Sequence, residues 1–282
     1  MNTRFTLFEI YQEKIKNHKI AAVTCYDYTT AKLIAQTPIQ MVLVGDSAAQ
    51  LVLGHDSTLP ATMDFMVTIT AAVRRGAPNV CLVADMPFLS YQTGLSEAVK
   101  NAGRFAAEAG VQMIKIEAAS AHLNVIKAVS DAGMAVMAHI GMLPQTIGKI
   151  GKLKAEGTTA EMAAQLIDLS KQMIQAGASS LLLEGIAAEV AQIITQNTEV
   201  PVISCGSGPY CDGQILVAPD VLGLTSGPKP KFAKSFADLS NATIEALKAY
   251  ALAVSNGSFP DYDHCYHIKN GELEKLQKML KE

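Results

Sequence analysis

The segment Met113-Ile114-Lys115-Ile116-Glu117 is a short apolar run that carries one lysine and ends in a carboxylate. Two earlier segments share this form, Val42-Leu43-Val44-Gly45-Asp46 and Cys81-Leu82-Val83-Ala84-Asp85. Apolar runs of this length are typical of parallel strands that are buried on both faces. Because the carboxyl ends of parallel strands meet at one edge of a sheet, we expect the three acids to converge there. Their oxygen atoms could then hold a divalent cation.

Candidate strands of this kind recur through most of the chain, at residues 20–24, 40–45, 79–85, 111–117, 134–139, 179–184, 200–204 and 214–217. Alanine-rich segments with helical spacing separate most of them, as at residues 96–109, 121–132 and 160–176. Several helical segments end in a glycine that suits a helix C-cap, namely Gly76, Gly110, Gly133 and Gly177. The alternation predicts a parallel sheet covered by helices, and eight repeats predict closure into a (β/α)8 TIM barrel.

The length of 282 residues and the even composition are compatible with a single barrel domain over residues 1–282. We expect a helix at residues 241–254 and a short, charged helical extension at about residues 261–282. This extension could pack on the barrel or on a neighbouring subunit. Packing on the barrel is the simpler expectation.

The charge pattern and the cysteines limit the partners and the location of the protein. The formal net charge is -3 and no dense Lys/Arg cluster occurs, which argues against nucleic acid as a partner. The five cysteines have no CxxC spacing and are expected to be reduced. No apolar signal core and no apolar run long enough for a membrane span is found. We therefore expect a cytoplasmic protein without a membrane segment.

Polar residues recur at the predicted strand ends. Asp46 with Ser47 could simply cap the following helix. The same position is also polar after four other strands, at Asp85, Glu117, His139 and Glu184. Because catalytic residues of a barrel come from the carboxyl ends of several strands, this repetition favours an active site. His139 taken alone could equally be a buried histidine without a catalytic role.

Lys115 lies two residues before Glu117, so both side chains should point to the same side of their strand. A lysine buried inside a barrel must be paired, either with Glu117 or with an anionic substrate. A lysine beside metal-binding acids is suited to recognise a substrate carboxylate or enolate, and we favour that role.

Several motifs, in this order and spacing, resemble the ketopantoate hydroxymethyltransferase family over about residues 5–260. They are Thr24-Cys25-Tyr26-Asp27-Tyr28, Val44-Gly45-Asp46-Ser47, Leu53-Gly54-His55-Asp56-Ser57-Thr58-Leu59-Pro60, Ala84-Asp85-Met86-Pro87-Phe88, Lys115-Ile116-Glu117, His139-Ile140-Gly141 and Gly208-Pro209-Tyr210-Cys211-Asp212-Gly213-Gln214.

The resemblance implies a barrel of the phosphoenolpyruvate/pyruvate superfamily. It also implies transfer of a hydroxymethyl group from 5,10-methylenetetrahydrofolate to 3-methyl-2-oxobutanoate, through a Mg²⁺-stabilised enolate. The product would be 2-dehydropantoate, on the route to pantothenate and coenzyme A. One Mg²⁺ per subunit and a homo-oligomer, specifically a decamer, are further implications.

The resemblance also implies roles for individual residues. Asp46 and Asp85 would bind the metal, with Glu117 as a further ligand, directly or through water. Ser47 and Lys115 would hold the oxo acid together with the two aspartates. Glu184 would accept the C3 proton, as general-base chemistry at a separate strand end requires. His139 is a further candidate for this site.

The chain departs from the family pattern at a few loop positions, namely Met142 and Leu143 where the family has Leu-Thr, Gly151-Lys152 in place of a glycine-tyrosine pair, Gly185 in place of cysteine, and Ser204 in place of glycine. These changes bear on the loops around the folate side and leave the implied site residues in place.

Two other functions are compatible with such a chain. One is a Mg²⁺-dependent carbon-carbon lyase or mutase of the same superfamily that acts on another 2-oxo acid without folate. The other is a degenerate barrel that binds ligands without catalysis, against which the intact site residues argue.

Overall fold

The computed structural model describes residues 4–225, 227 and 230–281. At its centre the strands close into a parallel barrel in sequential order. They are β1 (Ile20–Thr24), β2 (Met41–Val44), β3 (Cys81–Asp85), β4 (Met113–Glu117), β5 (Ala135–Gly141), β6 (Ala178–Glu184), β7 (Val202–Cys205) and β8 (Gly213–Leu216). The prediction of a (β/α)8 barrel is confirmed, and every strand end lies within two residues of its predicted position.

Helices surround the barrel. They are α1 (Leu7–Ile15), α2 (Tyr28–Ile34), α3 (Ala48–Leu51), α4 (Met63–Gly76), α5 (Leu95–Ala109), α6 (Leu123–Asp131), α7 (Ile147–Ile150), α8 (Ala160–Gln175), α9 (Ala188–Gln196), α10 (Ala218–Leu222), α11 (Leu239–Ser255) and α12 (Glu272–Met279). Threonine side chains cap the long helices α4 and α8, since Thr62 and Thr159 accept backbone N–H groups of the first turn.

The prediction of Gly76 as a C-cap is wrong. Gly76 is the last residue of α4, and Ala77 follows it as the cap. A Cβ atom at position 76 would lie 2.6 Å from the Cβ of Ala31 and 2.6 Å from the carbonyl oxygen of Tyr28. Glycine is therefore required here because α4 packs closely against α2, whereas Gly110 does end α5 in the left-handed conformation.

The strands are buried on both faces, as their apolar sequences require. One set of side chains fills the barrel interior, including Met41, Val83, Met113 and Leu182. The alternate set packs against the helices in a second, larger cluster. Helix α1 closes the amino-terminal end of the barrel with the fully buried Ile10. The carboxyl ends of the strands remain for the functional site.

The carboxyl-terminal helices differ from the others. Neither α11 nor α12 buries a residue, so the expected packing of the terminal extension on the barrel does not occur. Apolar side chains of α11 are exposed, with Leu247 at 62% and Leu252 at 64%. Within the part of the chain that the structure describes, no helix is both long and apolar enough to cross a membrane.

Candidate active site

A cavity of about 300 Å³ lies at the carboxyl end of the barrel. All the site residues predicted from the sequence line it, namely Asp46, Ser47, Asp85, Lys115, Glu117, His139 and Glu184. The parallel strands bring them together, because each residue lies at the carboxyl end of a strand or within three residues after it, and these ends meet at one edge of the sheet.

Lys115 pairs with Asp85 and not with Glu117. Its Nζ donates to both oxygens of Asp85, at 2.8 and 2.7 Å, and both side chains are almost fully buried. Asp85 on β3 is the register partner of Lys115 on β4, so the two side chains leave the barrel wall at the same height. Of the two partners considered from the sequence, Glu117 and an anionic substrate, the first is therefore not the one observed.

Gln145 connects the carboxylates of neighbouring strands. Its Nε2 donates to Asp46 Oδ2 at 2.9 Å, and its backbone N–H donates to Glu117 Oε2 at 3.0 Å. Nε2 also donates to the carbonyl oxygen of Met86 at 2.9 Å, and the Tyr91 hydroxyl lies 2.8 Å from Oε1. Gln145 is 4% exposed, so these bonds hold Asp46 and Glu117 in a site shielded from water.

The cluster carries more negative charge than its lysine neutralises. Burial, and then the charge of Asp85, raises the pKa of Asp46 to about 7. Burial also raises the pKa of Glu117 to about 9, against the lowering effect of Lys115. Burial would lower the pKa of Lys115, but Asp85, Glu117 and Asp46 outweigh it and raise that pKa. A bound cation would relieve the excess of negative charge.

The oxygen atoms of the site fit a hard cation that is shared with a substrate. Among the residues whose structure is described, no group of three or more His, Cys, Asp or Glu side chains is arranged to hold a metal ion by itself. An ion held by Asp46, Asp85 or Glu117 would therefore need further ligands. However, Mg²⁺ usually binds through one or two carboxylates together with substrate and water. Glu117 Oε1 is buried without a hydrogen-bond partner and is free to face such an ion.

His139 lies between two carboxylates. Its Nε2 is 3.3 Å from Glu184 Oε2, and its Nδ1 is 3.9 Å from Glu117 Oε1. Burial, and then the charge of Lys115, lowers the pKa of His139, so the ring is neutral at physiological pH. The side chain of Glu184 is 19% exposed, against 2% for Glu117, and is the more accessible base.

Ser47 is held by a tyrosine. Its Oγ lies 2.8 Å from the hydroxyl of Tyr26, and its side chain makes no capping bond to α3. Capping by Ser47, the simpler alternative, is therefore not observed. Gln145, Tyr26 and Tyr91 were not singled out from the sequence. Tyr26 lies within one of the motifs that carry the family resemblance, and Gln145 follows another by four residues. These positions are the sequence signal by which the two residues could have been identified as part of the site.

The fold and this cavity define an α/β-barrel enzyme with an acidic site at the carboxyl ends of its strands. Solved structures of similar fold include a phosphonopyruvate hydrolase in complex with oxalate and Mg²⁺. That structure has a TM-score of 0.61 and 12% identity, with 98% of this chain and 96% of that chain covered. A 2,3-dimethylmalate lyase of the PEP mutase/isocitrate lyase superfamily matches with a TM-score of 0.59 and 16% identity, at 98% and 96% coverage. At these identities the likeness shows the fold alone.

The sequence comparisons are more specific. The profile of the ketopantoate hydroxymethyltransferase family matches residues 4–262. The 3-methyl-2-oxobutanoate hydroxymethyltransferase of Syntrophomonas wolfei subsp. wolfei is 42% identical over 273 residues, which cover 97% of this chain and 99% of that protein. The enzyme of the same name from Clostridium novyi is 43% identical over 266 residues, at 94% and 97% coverage. The chain belongs to the ketopantoate hydroxymethyltransferase family and is a hydroxymethyl-transferring enzyme.

Proposed function

We propose that the chain transfers a hydroxymethyl group from 5,10-methylenetetrahydrofolate to 3-methyl-2-oxobutanoate and forms 2-dehydropantoate on the route to pantothenate. Family membership supports the reaction class. The observation that carries the proposal for this chain is the cavity in which Lys115, paired with Asp85, adjoins the carboxylates of Asp46, Glu117 and Glu184. An anionic oxo acid and a cation can both be bound in such a site.

Asp46 and Asp85 would hold Mg²⁺, and Glu117 would complete the set directly or through water. When bound, Mg²⁺ polarises the substrate carbonyl and stabilises negative charge on its oxygen. Gln145 keeps the Asp46 carboxylate in place through its 2.9 Å hydrogen bond. This fixed geometry matters because a preorganised charge needs no rearrangement as the reaction proceeds.

Lys115 and Ser47 would bind the oxo acid. Lys115 remains charged because its pKa is raised by the surrounding carboxylates, so it can attract a substrate carboxylate or an oxygen that gains negative charge. The hydroxyl of Ser47 is positioned by Tyr26 and can donate a hydrogen bond to the substrate.

Glu184 would remove the proton from C3 of the oxo acid, and that carbon would then bond to the methylene carbon of the folate. The bonds from this carbon to the folate nitrogens would break, water would supply the hydroxyl group, and tetrahydrofolate would leave. The carboxylate lies on β6, away from the Asp85–Lys115 pair, and reaches the cavity. His139 lies beside it, with Nε2 3.3 Å from Glu184 Oε2, and makes no hydrogen bond through that nitrogen in the structure. A small shift of either side chain would let this nitrogen donate to the carboxylate and orient it.

The direct test is consumption of 3-methyl-2-oxobutanoate with product analysis, in the presence and absence of Mg²⁺ and methylenetetrahydrofolate. We expect turnover only with both. The Asp46→Ala variant should lose activity while remaining folded by circular dichroism, since one metal ligand is removed from a barrel whose core is unchanged. Full activity of chelator-treated enzyme would refute the metal assignment.

The same assay tests the alternatives. A carbon-carbon lyase or mutase would convert a 2-oxo acid without folate, and a degenerate barrel would bind the oxo acid without converting it. The 42% identity to a hydroxymethyltransferase supports the transferase over both.

A homo-oligomer is part of the proposal. The exposed apolar side chains of α11, among them Leu247, Tyr250 and Leu252, are suited to contact another subunit. Family resemblance suggests a decamer, which a molar mass measurement in solution would test. The five cysteines form no disulfide, which is compatible with the cytoplasmic location that we propose.

A further inference from the structure

Asp220 is a buried acidic residue of the cavity to which the proposed mechanism gives no role. It lies in α10, directly after β8, and is 7% exposed. Its backbone is fully engaged, because its N–H donates to the carbonyl of Val217 at 3.0 Å and its carbonyl accepts from Ser235 Oγ at 2.8 Å. Its side chain belongs to the cavity wall.

The carboxylate of Asp220 lacks a protein partner. Across residues 4–225, 227 and 230–281, the structure gives this side chain neither a hydrogen bond nor an ion pair. A carboxylate removed from water is unfavourable unless hydrogen-bond donors surround it. Because Asp220 lines the cavity, a ligand in the cavity can supply those donors.

The cavity that Asp220 lines also has apolar walls and an aromatic ring. Leu216, Val217 and Phe232 line this cavity together with Asp220. The ring of Phe232 packs against the backbone of Gly206, where a Cβ atom would lie 2.3 Å from Cδ1. A cavity that offers one carboxylate, an aromatic ring and apolar side chains suits a flat heterocycle with N–H donors along one edge.

Topology places Asp220 on the far side of the barrel from Asp85, Lys115 and Glu117, while Asp46, after β2, is two strands away from β8. Glu184 ends β6, Cys205 ends β7 as its register partner, and Asp220 follows β8. Asp220 is thus two strands from the proposed base and lies on the other side of it from the Asp85–Lys115 pair on β3 and β4. A second substrate bound here would approach Glu184 from the side opposite to the oxo acid.

We propose that Asp220 binds the pterin ring of the folate co-substrate, by accepting the N3–H and 2-amino hydrogens with its two carboxylate oxygens. These two donors lie side by side on the pterin, and a carboxylate matches such a pair in the same way as it matches the fork of an arginine. Phe232 provides an apolar face for the ring. The inference rests on the proposed function, since it assumes that a reduced folate supplies the one-carbon unit.

The first test measures tetrahydrofolate binding by isothermal titration calorimetry and the KM for methylenetetrahydrofolate in wild type and Asp220→Asn. Asparagine keeps the shape but offers an NH₂ group where the pterin also donates. We expect both the Kd and the KM to rise roughly tenfold to a hundredfold, as for loss of hydrogen bonds to a charged group. The KM for 3-methyl-2-oxobutanoate should change less than threefold. Asp64→Asn, which removes the same charge from a side chain that is 86% exposed, is the control and should bind folate as wild type does.

The second test changes the ligand. A tetrahydrofolate analogue with methyl in place of the 2-amino group should bind the wild type at least tenfold more weakly than tetrahydrofolate. Asp220→Asn should lose this discrimination, which a general structural defect would not cause.

The outcomes separate the two proposals. Wild type that uses methylenetetrahydrofolate but binds the analogue as tightly as tetrahydrofolate overturns the role of Asp220 alone. An unchanged KM in a folded Asp220→Asn variant does the same. Wild type that neither binds tetrahydrofolate nor uses its methylene form overturns both the proposed function and this inference.

Discussion

Replacement of Gln145 by leucine tests whether the hydrogen bonds of Gln145 position the carboxylates that we propose as metal ligands. Leucine has a similar volume but makes none of the side-chain bonds to Asp46, Met86 and Tyr91. The backbone bond from residue 145 to Glu117 is retained in principle, so the change is confined to the amide group. Asp46 Oδ2 then loses a buried donor.

The expected loss of stability in Gln145→Leu follows from these contacts. A hydrogen bond to a charged group contributes about 1.5–3 kcal/mol and a neutral one about 0.5–1.5 kcal/mol. The variant loses one charged and three neutral bonds, of which the bond from Gln92 Nε2 is long at 3.4 Å. Partly offset by the apolar leucine, this loss should lower the free energy of unfolding by about 3 kcal/mol. Because the Asp46 carboxylate is no longer held in one orientation, kcat should fall at least tenfold.

Urea unfolding at one protein concentration measures the stability, and steady-state kinetics measure the turnover. Tyr91→Phe is the comparison variant, since it removes the hydroxyl that lies 2.8 Å from Gln145 Oε1 and 3.0 Å from the carbonyl oxygen of Glu117, and it should cost about 1 kcal/mol. The double variant should be less destabilised than additivity predicts, because both changes delete the same contact. A Gln145→Leu protein with wild-type turnover and a stability loss below about 1 kcal/mol would refute the reasoning.

Three further predictions concern Lys115, Glu184 and Gly185. Lys115→Met should weaken oxo-acid binding and lower turnover roughly a hundredfold or more, since it removes the positive charge that would attract the oxo acid; normal kinetics would leave Lys115 a purely structural role. With Mg²⁺ and no folate, the wild type should exchange the C3 hydrogen of 3-methyl-2-oxobutanoate with deuterated water, as measured by NMR. Glu184→Gln should lose this exchange while still binding the oxo acid. Equal exchange rates in the two proteins would exclude Glu184 as the base. Gly185→Cys should cost about 1–3 kcal/mol of stability, and Met142→Leu should recover part of it in urea unfolding; no recovery would disprove the contact between the two residues.

The strands could be predicted because each is a continuous apolar run between polar or glycine-rich segments. Burial on both faces leaves no alternation, and the repeat of strand and helix then requires a parallel sheet. The convergence of Asp46, Asp85 and Glu117 follows from the same topology. All strands of a parallel barrel have their carboxyl ends at the same edge of the sheet. The residues that line the site could therefore be predicted from the sequence.

The partner of Lys115 could not be predicted, because it depends on register. Along one strand, Lys115 and Glu117 share a face but are separated by about 6.6 Å of strand rise. Across the sheet, Asp85 is directly opposite Lys115, while Glu117 is opposite His139. Register between parallel strands is set by the packing of the helices that connect them, and a single sequence gives no direct measure of it.

Two of the departures from the family pattern are explained by one contact. Gly185 adopts a positive φ of 58°, and a Cβ atom there would lie 1.9 Å from Cε of Met142. Methionine is longer than the leucine usual at position 142, and its end fills the space that a larger residue at 185 would need. The backbone N–H of Met142 also donates to the carbonyl of Glu184 at 2.9 Å, so this contact is built around the proposed base. The two substitutions therefore compensate each other in packing and preserve the strand end from which Glu184 reaches the cavity. This compensation is the physical reason why departures so close to the proposed base are compatible with the same reaction.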